Sequence, residues 1–79
     1  MDRSHWPRAV KLQIKRNGAW RDVLRFDAEL ADVHDIKWAA TSLVRAADPD
    51  GKTTLRLATA DMYQKALAHW DSKKGWVAA

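Results

Sequence analysis

Residues 9–16 alternate without a break: Val10, Leu12 and Ile14 project one way, Lys11, Gln13 and Lys15 the other, and Asn17-Gly18 follows at once. Period-two alternation is the mark of a half-buried strand, and Asn-Gly beside such a segment is the strongest short signal for a hairpin. Residues 20–26 read as the return strand, giving a hairpin over 9–26. A lone hairpin is marginal in water, so the rest of the chain has to cover its apolar face.

Register decides which side chains share that face. A two-residue loop at Asn17-Gly18 pairs Ile14 with Arg21 and Val10 with Arg25, mixing apolar and basic groups. A three-residue loop with Gly18 left-handed pairs Ile14 with Trp20 and Val10 with Leu24. It gathers Val10, Leu12, Ile14, Trp20, Leu24 and Phe26, interrupted only by Asp22, and is the register expected.

Asp27 and Asp32 are both suitable helix N-caps. Val33, Ile36, Ala40, Leu43, Val44 and Ala47 then fall on one stripe, predicting a helix over 28–47 that ends before Pro49. Asp48-Pro49-Asp50-Gly51 is a turn, and 53–59 a strand with Leu55 and Leu57 inward. In the last third, Met62, Ala66 and Trp70 recur at helical spacing after two candidate caps, Thr59 and Asp61, which predicts a helix over 60–72 and a tail or short strand over 76–79. A rival reading makes 67–71 and 76–78 two strands around Ser72-Lys73-Lys74-Gly75. The expected fold is α+β: one small two-layer domain over 1–79, an arm at 1–8, the order β-β-α-β-α, and an antiparallel or mixed sheet with helices on one face.

The 79 residues include no cysteine, so neither disulfides nor a thiolate metal site can staple this domain. Apolar packing must do so, and five tryptophans supply much of the area; a core this small cannot enclose all five. The first eight residues contain no apolar run, so neither a secretory signal nor a membrane span is expected, and a cytoplasmic location is. Net charge is +4, unevenly spread: seven Lys/Arg against two acids over 1–26, two against six over 27–50, five against two over 51–79.

Motifs that carry chemistry fail one by one. Gly51-Lys52-Thr53 has the end of a phosphate loop, but Ala46 stands where its first glycine belongs and the order is helix to strand. Asp48-Asp50-Gly51 places glycine too early for a calcium loop, with Thr59 where the bidentate acid belongs. His5, His34 and His69 have no metal-ligand spacing. Ser4, Ser42 and Ser72 sit in no nucleophile elbow, and an acid–base pair such as Asp35 with His69 has no motif to argue for it. No enzyme, cofactor or metal is expected.

Two surfaces remain as candidates. On the open hairpin face Lys11, Lys15, Arg21 and Arg25 should project together with Arg16 at the turn, without interleaved aromatic rings. On the helix, Trp38 lies about 140–200° from the core stripe beside His34, Thr41, Ser42 and Arg45. That indole is either covered by the N-terminal arm, for instance by Trp6, or open to a partner. In size, lack of catalytic motifs and recognition-type residues, the chain resembles small phage and mobile-element proteins that block host machinery by occupying a surface, anti-CRISPR proteins among them. The likeness rests on no particular position. The expected function is binding to a protein or nucleoprotein partner through Trp38, Arg45 and His34. The alternative is a nucleic-acid module using Lys11, Lys15, Arg16, Arg21 and Arg25.

Overall fold

The computed structural model describes residues 6–79, so most of the expected arm lies outside the described residues. The elements are β1 (Ala9–Lys15), β2 (Trp20–Asp27), α1 (Val33–Ala47), β3 (Thr54–Thr59), β4 (Ala66–Asp71) and β5 (Gly75–Ala78). The five strands form one antiparallel sheet in the order β2-β1-β3-β4-β5. Helix α1 packs on one face, where Val33 and Val44 join Val10, Leu12, Leu55, Leu57, Ala68 and Trp70 in the core. The fold is α+β with strands dominant, and the expected order β-β-α-β-α is corrected to β-β-α-β-β-β.

The correction lies in residues 60–72, which form a loop and a strand rather than a helix. Asp61 does not cap a helix; its Oδ1 accepts hydrogen bonds from the Thr59 hydroxyl and from the backbone N–H groups of Tyr63 and Gln64. The Lys65 N–H donates to Thr59 Oγ1, closing the loop. The chain therefore turns back, and β4 pairs along the free edge of β3, satisfying backbone groups that a helix there would leave open. Asp71 then accepts the N–H groups of Lys73 and Lys74, Gly75 takes a φ of +72°, and β5 returns beside β4. This is the rival strand pair of the sequence reading.

Helix α1 begins at Val33, five residues later than expected, because Asp32 caps it through Asp35 N–H. Asp27 instead holds a turn: its side chain accepts Glu29 N–H, its carbonyl those of Leu30 and Ala31. The buried stripe also differs. Thr41 is buried while Leu43, expected inward, is 71% exposed.

The β1–β2 register corrects the one expected: Ile14 opposes Arg21 rather than Trp20, as in the two-residue-loop alternative, and Val10 opposes Phe26 rather than Leu24, a pairing neither alternative gave. Val10, Lys11 and Leu12 oppose Phe26, Arg25 and Leu24; Gln13, Ile14 and Lys15 oppose Asp22, Arg21 and Trp20. Val23 is the extra residue of a bulge between them. Gly18 has φ +95°, and Lys11 and Arg25 lie opposite Leu12 and Leu24, as expected. Beyond the bulge the faces exchange: Trp20 and Asp22 move to the open face and Arg21 to the helix face. The exchange turns Asp22 to the open face, where the Gln13 amide donates a hydrogen bond to it.

Candidate partner-binding site

On the helix-facing side, strands β4 and β5 set Trp70 opposite Trp76. Trp70 is almost fully buried and Trp76 half-buried. The Trp76 Nε1–H donates to Thr41 Oγ1 at 3.1 Å, and the Thr41 hydroxyl donates to the Lys37 carbonyl at 2.8 Å. That chain of bonds explains why a threonine is buried on α1: it is the acceptor for a half-buried indole.

Cations cover these rings. The Lys37 Nζ lies 5.2 Å from the Trp76 ring centroid and 6.0 Å from that of Trp6, and the Arg45 guanidinium carbon 5.8 Å from that of Trp70. Both are within cation–π range. Between α1 and the β4–β5 pair runs a groove of 420 Å³ bordered by His34, Trp38, Arg45, Trp70 and Trp76. The three helix residues expected as partner-binding thus share one groove, floored by two tryptophans whose involvement the sequence did not indicate. Trp38 is 68% exposed, and its indole N–H has no partner among the described residues. Trp6 is packed against the core under Lys37.

The open sheet face departs from expectation. Lys11 is buried, its ammonium 3.3 Å from Asp22 Oδ1, and Arg25 lies 3.7 Å from Asp22 Oδ2. One carboxylate thus serves two of the expected cations; the Gln13 amide, then Lys11, hold it below the usual carboxylate value. Arg21 faces the helix side, opposite Ile14, and Arg16 sits in the exposed turn. The five basic candidates do not form one patch.

A different set occupies that face. Gln13, 1% exposed, donates to Asp22 and to Gln64 and accepts from Arg56 Nε at 2.6 Å. Gln64 reaches it from the 60–65 loop with a left-handed backbone, φ +49°. Trp20 lies under Arg56 at 4.4 Å and Lys15 at 5.0 Å, 6.4 Å from the His69 ring. The face therefore carries an aromatic ring where none was expected. Asp22 was the signal: a carboxylate interrupting an apolar strand face marks the place where the face changes. Met62 and Tyr63, at the tip of the loop that Asp61 ties down, are each more than 80% exposed.

Asp35 is on α1 and His69 on the opposite face of the sheet, so the acid–base pair left open by the sequence is not brought together. Among the described residues no group of three metal-ligating side chains clusters, and no helix is long and apolar enough to cross a membrane. Comparison with protein-family models, with curated proteins and with solved structures finds no match.

Proposed function

We propose that the chain is a non-catalytic binding protein that occupies the surface of a larger protein or nucleoprotein partner, in the manner of the phage and mobile-element inhibitors it resembles in gross character. The observation that carries this reading is the groove along α1. An exposed Trp38 stands over a floor of Trp70 and Trp76 with Arg45 and His34 on the same rim. Trp and Arg are the residue types that most often dominate binding energy, through apolar area, planar cation and hydrogen-bond donors in one patch.

A second reading draws on Trp20 between Lys15 and Arg56, which gives the open face the aromatic-plus-cation pairing used on single-stranded nucleic acid. Its weakness is that Asp22 already engages Lys11 and Arg25.

The test is capture of partners from the native host on immobilised protein, followed by affinity measurements on two variants. Trp38→Ala is expected to weaken binding by about 2 kcal/mol or more with an unchanged melting temperature. Lys15→Glu with Arg25→Glu is expected to have little effect. The reverse ranking, together with DNA or RNA retention that falls steeply with salt, would replace the first reading by the second.

A further inference from the structure

Arg56 stands at the middle of the open sheet face, on β3, the central strand. It is half-buried, and its Nε–H donates to Gln13 Oε1 at 2.6 Å. Gln13 is itself fixed, being buried and donating to Asp22 and Gln64. The Trp20 ring centroid lies 4.4 Å from the guanidinium carbon, within cation–π range. Anchored in this way, Arg56 keeps the N–H donors of its two terminal nitrogens, and none of them has a protein acceptor among the described residues.

No carboxylate balances this charge among the described residues. Asp22 is engaged by Gln13, Lys11 and Arg25. Asp71, two residues beyond His69 on the same face, turns its Oδ1 to the backbone N–H groups of Lys73 and Lys74. Burial pushes the Arg56 guanidinium down, and no acid acts against it. A partly desolvated cation without a counter-charge costs stability. Two further groups surround the same indole: Lys15, its Nζ 5.0 Å from the ring centroid, and His69, directly opposite Arg56 in the β3–β4 ladder. Neither has an ion-pair partner among the described residues.

We propose that Arg56, with Lys15 and His69 beside it, forms a binding site for a phosphate group. A guanidinium whose free edge is held in place matches two oxygens of one oxyanion at once. Phosphate is the fitting oxyanion because it has oxygens left over for Lys15 and His69, which approach from other strands, whereas a carboxylate is used up by the arginine alone. The charge also fits: Arg56 and Lys15 are two permanent cations, and a phosphate group carries about one to two negative charges at neutral pH. The site lies on the opposite side of the sheet from the Trp38 groove. It goes beyond both readings above, since the first leaves this face unused and the second depends on a base stacked on Trp20, which a phosphate held by Arg56 does not need.

The test is heteronuclear NMR of the purified chain, following the Arg56 Nε–H, the Trp20 indole N–H and the His69 ring during titration with inorganic phosphate at constant ionic strength. Saturable shifts at these residues are expected, with a Kd of about 1 mM or tighter, while the Trp38 indole stays unmoved. Sodium acetate, the carboxylate probe, should bind at least tenfold more weakly. Arg56→Gln should weaken phosphate at least tenfold. Lys15→Gln, which leaves the Gln13 bond intact, should weaken it several-fold at the parent's melting temperature, so the site remains testable if Arg56→Gln disturbs the fold. A short thymidine oligonucleotide then separates the two sources of such a group. If it shifts the same signals and is displaced by phosphate, the group belongs to a nucleic-acid backbone; if it leaves them unmoved while phosphate binds, the group belongs to a small phosphate compound. Shifts that never saturate or that scatter over the other basic residues, acetate binding as tightly as phosphate, or binding undiminished in both variants would each overturn the inference.

Discussion

The indole of Trp76 and the hydroxyl of Thr41 are joined by a 3.1 Å hydrogen bond that ties β5, the last strand, to the middle of α1. Thr41→Val keeps the shape and removes the acceptor. It is expected to lower stability by about 1 kcal/mol, the scale for a half-buried donor left unpaired. Chemical denaturation measures the loss, and a change in near-UV circular dichroism would locate it at the indole.

Trp70 and Trp38 border one groove and differ in burial, at 3% and 68% exposed. Trp70→Ala should cost about 3–5 kcal/mol, close to the whole stability that a core in this size range supplies. That variant is expected to be unfolded or nearly so at 37 °C by circular dichroism, whereas Trp38→Ala melts with the parent.

Acid should weaken the fold in a defined window. Asp22, Asp27, Asp48, Asp61 and Asp71 are all held below the usual carboxylate value by hydrogen bonds: from Gln13, Arg8, the Thr53 hydroxyl, the Thr59 hydroxyl and the Lys74 and Lys73 amides respectively. A carboxylate depressed in the folded state contributes stability that is fully present above its unfolded pKa, about 4. That contribution is lost as pH falls through the folded value, because the unfolded chain then binds more protons. The melting temperature is expected to be nearly level between pH 7 and about 5 and to fall below about 4. Asp61→Asn should make the acid limb shallower.

Gly51 has φ +74°, and a Cβ built there would lie 2.6 Å from Ser72 Oγ. Gly51→Ala combines backbone strain with displacement of Ser72, whose hydroxyl donates to the Gly51 carbonyl at 3.3 Å. Gly18, φ +95°, has nothing within 4 Å of the same position, so Gly18→Ala carries the strain alone, about 1–2 kcal/mol. Thermal melts should place Gly51→Ala below Gly18→Ala, and adding Ser72→Ala should bring the two closer.

The first hairpin, the left-handed Gly18, the inward Leu55 and Leu57 and the place of Trp38 off the core stripe are legible in the sequence because each rests on a local period or a turn residue. The bulge at Val23 is not, since period-two reasoning assumes an unbroken strand; only Asp22, polar where the pattern called for an apolar residue, points to it. Residues 60–72 mislead for another reason. Met62, Ala66 and Trp70 are spaced as on a helix, yet Met62 is 84% exposed on a loop and only Trp70 is in the core. What chose the strand was the vacant edge of β3, a tertiary need invisible in a short window. The Trp38 groove was half legible: Trp38, Arg45 and His34 share a helix face, but Trp70 and Trp76 reach it only once β4 and β5 pair.

The strand order has a kinetic consequence. The β1–β2 hairpin and the β3–β4–β5 meander are each joined by short connections, and the strand pairing that unites them is the β1–β3 ladder, from Val10↔Thr59 to Lys15↔Thr54. The two halves can therefore form by local closure, whereas their union has to close the long intervening segment that contains α1. Zipping β1 against β3 is thus the step expected to limit the folding rate. Truncating Leu12 or Leu57, which face each other in that ladder, should slow folding, while changes at the β4–β5 turn should chiefly speed unfolding.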